Sequence, residues 1–414
     1  MLKSQSSQPP PVGGFLRPSR IYTVIRRYIV ASLFLLCTPI FANAADELLD
    51  AGRASAIDFL LENAIKKGLI FGGVVIVGNR SGVVYSSSRG KLSAGDDSAL
   101  LSERTRFDVA SLTKVVATTP AVMKLLEAGL INLMDPLTKW FPELSGSDGE
   151  EITVLNLLTH TSGLDDVEIP DESPLAATLA KAAVQNSAVV SGSRFRYADI
   201  NFILLGELVK RASGVALDRF CRDTIYAPSA MADTGFIPLD DMSPDIAPTV
   251  GKGGILQAGL VQDMNSRRFG GIAGHAGLFS SAADISRFAT MILNKGVYNG
   301  RELFSERTIN QMTAPYFYAN GRIIRGLGWD INSPYSAPRG SYFSPMSFGH
   351  TGYSGSSLWI DPDQNLYVIL LTIRLNYNDV RHFNQLRSDL STLAVSIFSR
   401  QRPTGDMLED LQRP

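Results

Sequence analysis

Two strand-like hairpins stand near opposite ends of this chain, with a long helical stretch between them. Gly73 to Gly78 (GVVIVG) and Gly82 to Ser86 (GVVYS), joined by Asn79-Arg80-Ser81, have the apolar runs and polar turn of one hairpin. Ser357 to Ile360, a turn at Asp361-Pro362-Asp363-Gln364, and Leu366 to Ile373 form the other. Between and around them the period becomes helical. Asp46 to Lys67 carries Leu48, Leu49, Ile57, Leu60, Leu61 and Ile65 at roughly helical spacing. Ser111 to Leu133, Val154 to Leu158, Ile200 to Lys210, Asp284 to Asn294 and the amphipathic Val380 to Ser399 follow the same rule. No internal repeat or long linker interrupts the pattern. One sheet built from distant parts of the chain is therefore expected, with the helical middle as a second lobe and a cleft between them, where small-molecule sites tend to lie.

The chain has 414 residues, 45% of them hydrophobic and 19% charged, values of an ordinary globular protein rather than a disordered or fibrous one. Its formal charge is −1, unevenly spread. Residues 1–44 hold Lys3, Arg17, Arg20, Arg26 and Arg27 and no acidic residue; without those five, 34 of the 39 basic residues remain against 40 acidic ones, a net −6. A mildly acidic body argues against a nucleic-acid partner. Arg26-Arg27, the apolar run Tyr28 to Phe41 and the small residues Ala42-Asn43-Ala44 make a secretory signal with cleavage after Ala44, preceded by a polar, proline-containing extension. The expected organisation is a signal at 1–44 and one catalytic domain at 45–414, its helical lobe spanning roughly 112–320. Export to the periplasm or medium follows, and it excludes ATP-dependent cytosolic chemistry. The alternative is an uncleaved segment anchoring the protein in the inner membrane, although the run is short of the ~20 apolar residues of a span. Cys37 lies in this leader, so the mature chain keeps Cys221 alone and no internal disulfide.

Three short motifs carry chemistry. Ser111-Leu112-Thr113-Lys114 starts a helical pattern, and residues three apart share a helix face, so Lys114 can reach the Ser111 hydroxyl. Serine is a weak nucleophile until a base takes its proton. Lysine can be that base if burial or positive neighbours lower its pKa. The bland alternative is a helix-start serine and a surface lysine; a second match, Ser88-Arg89-Gly90-Lys91, lies in a polar turn with no helix after it. The second motif is Tyr197-Ala198-Asp199, before the helix from Ile200. A phenol near an ammonium has a lowered pKa and can relay protons; otherwise Tyr197 packs in the core, and Asp199 is expected to cap the helix. The third is His350-Thr351-Gly352-Tyr353, whose small residues let a strand edge approach a ligand with a backbone N–H aimed at an oxyanion. Its bland form is a glycine-rich strand with a solvated histidine.

Their order, Ser-x-x-Lys, then Tyr-x-Asp, then His-Thr-Gly on a late strand, resembles the penicillin-recognising serine hydrolases, whose related members use Ser-x-x-Lys, Ser-Asp-Asn and Lys-Thr-Gly. The tyrosine version is similar to the class C β-lactamase group, which includes D-Ala-D-Ala carboxypeptidases and carboxylesterases. Leu157 to Leu164 (LLTHTSGL), Gly274 to Ser281 (GHAGLFSS) and Trp359-Ile360-Asp361-Pro362 extend the likeness over roughly residues 55–400. The resemblance implies an α/β (α+β) fold of β-lactamase/DD-peptidase type, an antiparallel sheet flanked by helices with a mostly helical second lobe. It implies acylation of Ser111, proton acceptance by Lys114, and Tyr197 as general base and acid. The backbone N–H groups of Ser111 and Tyr353 would form the oxyanion hole, and Thr351 would hold a substrate carboxylate beside His350 and Gly352. Asp199 departs from the usual asparagine, placing an anion near the substrate backbone. His350 replaces the lysine of the β-lactamases with a histidine near its pKa at neutral pH, a weaker fixed charge. Both changes point away from efficient β-lactam turnover.

His160 and His275 lack a metal-ligand spacing and read as structural, and His382 as a surface helix residue. No Gly-x-Ser-x-Gly, phosphate loop, dinucleotide fingerprint or zinc signature occurs, so neither a metal nor a cofactor is expected. The expected partner is a small-molecule or peptidoglycan-peptide substrate, with membrane association only through an uncleaved N-terminal segment. A D-Ala-D-Ala carboxypeptidase-like hydrolase that binds penicillin leads; a carboxylesterase on short acyl esters, a weak class C-like β-lactamase and a non-catalytic binder of cell-wall fragments are the alternatives.

Overall fold

The computed structural model describes residues 52–399, apart from 95–96, 148–150, 186–189, 238–244, 252–253 and 320–321. The expected signal at 1–44 and the first residues of the expected helix at 46–67 lie outside the described residues, where that helix covers 52–66. The main sheet has five strands: β1 (Ile70–Asn79), β2 (Gly82–Gly90), β3 (Phe348–Thr351), β4 (Ser357–Asp361) and β5 (Leu366–Arg374). Their order is β3-β4-β5-β1-β2 and every pairing is antiparallel. The two hairpins thus join through β1 and β5, with Val74 opposite Leu371 and Ile76 opposite Ile369.

Alternation along β1 explains why its sequence is apolar throughout. Val74 and Ile76 point to the face shared with Ile369, Leu371, Leu358 and the helical body. Val75 and Val77 point to the other, against Val368, Leu370, Ile57 and Leu61 and the C-terminal helix Val380–Phe398 with its Phe383, Leu386 and Leu390. Each such side chain, fully buried, contributes about 1.5–3 kcal/mol. A strand covered on both faces leaves no polar position to alternate with. The edge strand β2 is only partly buried and runs Ser86-Ser87-Ser88, the polar edge that discourages pairing with another chain.

A smaller three-stranded sheet, Arg106–Asp108 with Leu278–Ser281 and Gly235–Phe236, brings the first motif to this scaffold. Here the structure departs from the sequence expectation of one helix over 111–133. The segment begins as a 3-10 turn (Ala110–Leu112), widens into a π-turn (Lys114–Thr118) and is α-helical only over Thr119–Glu127. Interruptions of this kind recur at functional sites, because they re-aim side chains that a regular helix would splay. Among the described residues no helix is long and apolar enough to cross a membrane.

Candidate active site

Ser111 follows a strained residue. Ala110 has φ +46°, a left-handed conformation that is costly for a residue with a Cβ and persists only where its surroundings hold it. Several bonds do so. The Asp108 carboxylate accepts from the Ala110 N–H at 2.8 Å and from the Gln262 N–H at 2.6 Å. Thr113 Oγ1 donates to the Ala110 carbonyl at 2.6 Å, and the Val109 N–H donates to Leu278 at 3.0 Å. Burial raises the Asp108 pKa to about 6, against the opposing pull of its two N–H donors.

Lys114 is completely buried beneath this turn. Its Nζ donates to Ser111 Oγ at 3.0 Å and to the His275 carbonyl at 3.1 Å, and lies 2.7 Å from Asp199 Oδ1. The Tyr197 ring completes the cluster: Lys114 Nζ lies 5.1 Å from its centroid, and it lines the same cleft as Ser111. Two expectations about its electrostatics fail. Burial alone would lower the Lys114 pKa, but the Asp199 carboxylate more than offsets it and holds the ammonium above its ordinary range. Burial raises the Tyr197 pKa, and the nearby Lys114 charge does not reverse this. Asp199 itself lies below the usual carboxylate range: burial would raise it, and Lys114 outweighs that.

Asp199 is also not the helix cap it was expected to be. It makes no capping bond; the Ile200 N–H is taken instead by Asp166 Oδ1 at 3.0 Å, which frees Asp199 to face Lys114. Sequence spacing has no means of revealing a cap supplied by a carboxylate from a distant loop.

The third motif forms β3 and the turn after it. His350 is buried and its Nδ1 bonds the Thr351 carbonyl at 2.8 Å, so that nitrogen carries the proton. Burial, with the charges of Arg325 and Lys114, keeps its pKa well below the ordinary value. The ring is therefore neutral at pH 7 rather than near its midpoint, and it is not solvated. Gly352 packs onto Val109 and Ala110, where a Cβ would overlap the Ser356 hydroxyl and the Val109 carbonyl. Ser354 Oγ donates to the Asp108 carbonyl and Ser356 Oγ to that of Val109, each at 2.7 Å. These bonds stitch the glycine turn to the residues leading into Ser111.

A cleft of about 610 Å³ is lined by Ser111, Tyr197, Asp199, His350, Thr351, Gly352 and Tyr353, with Lys114 under its floor. All eight expected residues thus converge, and the size suits a small-molecule or short-peptide ligand. Sequence reasoning missed the groups behind them. His160, read as merely structural, is fully buried and stacks on the Tyr197 ring at 4.4 Å. Its Nδ1 accepts the Ala198 N–H at 3.3 Å, and burial with the Arg325 charge keeps it neutral. Its place inside the LLTHTSGL segment was the available signal. Arg325, a wholly buried guanidinium near these rings, had none.

Asp199, Asp263 and His275 bring ligand-type atoms within 4.8 Å of one another. Lys114 already lies against the Asp199 carboxylate and the His275 carbonyl, and His275 Nε2 pairs with Asp263 Oδ1 at 2.9 Å. The cluster is therefore an ion-pair network around an ammonium, and an added metal would sit against that fixed charge.

Similarity to known proteins agrees with this arrangement. A "Putative D-alanyl-D-alanine carboxypeptidase" of Salmonella agona (strain SL483) is 26% identical over 382 residues, covering 82% of this chain and 87% of that protein. A class C β-lactamase superposes with a TM-score of 0.69 at 19% identity, over 84% of this chain and 96% of the other. EstCE1, described as a hydrolase with promiscuous acyltransferase activity, superposes with a TM-score of 0.66 at 20% identity, over 83% and 99%. At such identities the two structures establish the fold alone. The profile of the Beta-lactamase family matches residues 57–390, which contain every residue of the cleft described above, and the chain belongs to that family.

Proposed function

We propose that this protein is an exported serine hydrolase that forms an acyl-enzyme at Ser111, with peptidoglycan peptides ending in D-Ala-D-Ala as its substrates. The observation that carries the reading is the Ser111–Lys114–Tyr197 cluster, with Ser111 Oγ 3.0 Å from Lys114 Nζ and the Tyr197 ring 5.1 Å from that ammonium in the same cleft. In this reading Ser111 Oγ attacks the scissile carbonyl and its proton passes to the Tyr197 hydroxyl oxygen. Tyr197 gives its own proton to the departing amine or alcohol in the same step. The phenol ends as it began, which suits a pKa raised by burial. Lys114, kept protonated by Asp199, stabilises the negative charge that gathers on the phenol oxygen during the transfer. Water then attacks the acyl carbonyl and gives a proton to the Tyr197 oxygen as Tyr197 passes its own proton back to Ser111 Oγ; the ester bond to Ser111 breaks and the acid is released. Two backbone N–H groups, of Ser111 and Tyr353, hold the oxyanion in both steps.

The substrate class is supported by the named activity of the Salmonella relative and by Thr351 beside Gly352 on the cleft wall. The carboxylesterase reading has one observation in its favour: His350 is neutral, so it offers no fixed charge for a substrate carboxylate. The export half rests on Arg26-Arg27, the apolar run to Phe41 and Ala42-Asn43-Ala44. Intact-mass measurement after incubation with a fluorescent penicillin tests the proposal. A mass gain mapped to the Ser111 peptide, decaying slowly, is expected. Rapid decay would make the protein a β-lactamase, and labelling of an activated short-chain ester alone would favour the esterase.

A further inference from the structure

Against the Gly352–Tyr353 turn, and in the lining of the same cleft, lie two largely buried cations that no part of the reaction just described uses. Arg387, on the inner face of helix Val380–Phe398, is 5% exposed, and Arg374, at the end of β5, is 4% exposed. Both stack on the ring of Phe383, at 4.7 and 4.3 Å. Among the described residues neither forms an ion pair. Uncompensated buried charge is expensive, and native proteins rarely keep it without a neighbour that profits. Here the neighbours are carbonyls. Arg387 Nη2 donates to the Gly352 carbonyl at 2.5 Å and to the Ser356 carbonyl at 2.9 Å, and Arg374 Nη1 donates to the Tyr353 carbonyl at 3.1 Å.

The Gly352 carbonyl belongs to the peptide whose N–H is that of Tyr353. No group among the described residues accepts from that N–H. A charge-assisted bond to the oxygen of a peptide draws electron density toward it and makes the N–H at the other end a stronger donor, an effect that grows where the dielectric is low. The same bond, with the Gly355 N–H donating to the Gly352 carbonyl at 3.1 Å, fixes the plane of the peptide. A protein carboxylate beside Arg387 would weaken the first effect, and among the described residues none forms an ion pair with it.

We propose that Arg387 is a positioning residue for the oxyanion hole: its guanidinium polarises and orients the Gly352–Tyr353 peptide so that the Tyr353 N–H binds the oxyanion more tightly. The inference rests on the acyl-enzyme reading given above. Three variants separate charge from contact: Arg387→Gln keeps a neutral N–H donor, Arg387→Lys keeps the charge, and Arg387→Met keeps neither. The measurement is the infrared carbonyl stretch of a 13C-labelled acyl-enzyme at Ser111, with kcat and KM for the parent ester and folding checked by circular dichroism. The expected result is an acyl carbonyl shifted to higher frequency in both Arg387→Gln and Arg387→Met. With it, kcat falls about 10- to 100-fold at nearly constant KM, less than the loss of a whole oxyanion donor. Arg387→Lys restores much of both. An unshifted carbonyl in folded Arg387→Gln overturns the inference while leaving the hydrolase reading intact. If the Met variant does not fold, Gln against Lys still decides. A wild-type protein that forms no adduct overturns the hydrolase reading and this inference with it.

Discussion

Two buried cations serve opposite walls of one cleft, and they are solved in opposite ways. Lys114 has a carboxylate 2.7 Å away and sits among hydroxyls; Arg387 has no carboxylate and sits among carbonyls. A buried ion pair presents little net charge to its surroundings, whereas an unpaired cation presents all of it. The Lys114 side is thereby suited to moving protons between neutral oxygens with little change in field. The Arg387 side is suited to holding a negative charge that appears and disappears. The asymmetry follows from Asp199, which stands where a neutral amide is usual in proteins this chain resembles.

The largest expected effect removes the atom on which both sides act. Ser111→Ala should leave the protein folded, abolish the penicillin adduct by intact mass, and lower kcat/KM at least about 10⁴-fold, as loss of a hydrolase nucleophile does. An adduct that survives would move the chemistry elsewhere. Asp199→Asn then breaks the comparison directly, by turning the paired cation into an unpaired one. Without the carboxylate, burial is left to pull the Lys114 pKa below its ordinary value, since burial is the dominant lowering influence there. The variant should gain a titration step in its acylation rate on the alkaline side that the wild type lacks. A rate that falls through that step, by about 10²-fold, fits a protonated Lys114 stabilising the phenol. A rate that rises would make neutral Lys114 the proton acceptor. Stability should drop about 3 kcal/mol, the low end for stripping a buried ion of its partner, because asparagine keeps the shape.

The comparison also marks how far the sequence could be read. The sheet was legible because both hairpins announce themselves by turn residues and apolar runs, and the joining of distant strands followed from their composition. Ser111, Lys114, Tyr197 and the His350-Thr351-Gly352-Tyr353 stretch were legible because each falls in a short contiguous motif. The charges were not. Whether a lysine is lowered by burial or raised by a carboxylate depends on a residue some eighty positions later, and the resemblance that located Asp199 gave it a substrate contact rather than a partner. The neutral state of His350 depends first on its burial and then on the charge of Arg325, neither of which a motif marks. The irregular turn at 110–118 was equally invisible, since a 3-10 turn, a π-turn and an α-helix share one apolar period at this length. Arg387 lay inside a helix correctly expected from periodicity, where an arginine on the buried face looks like any other.

The smallest expected effect probes the joint between the two walls. Asp108 supports the Ala110–Ser111 turn through its carboxylate, while its backbone carbonyl receives Ser354 of the glycine turn. Its folded pKa of about 6 lies above the ~3.9 of an unfolded aspartate. In that interval the native state binds more proton than the unfolded one, so this group makes stability fall as pH rises from about 4 to 6 and contributes no further change above about 7. The gap of about two pKa units corresponds to roughly 3 kcal/mol. Asp108→Asn removes the titration and also costs one of the two N–H bonds. The test is therefore the difference in melting temperature between wild type and variant, followed with pH. That difference should move against the wild type by several degrees between pH 4 and 6 and then stay level, at the roughly 2–4 °C per kcal/mol of larger domains. A difference that is flat throughout would mean that Asp108 is already ionised at pH 4, held there by the Ala110 and Gln262 N–H groups. The turn beneath Ser111 would then carry a full negative charge, and the Lys114 wall would be more acidic than the one-to-one pairing with Asp199 implies.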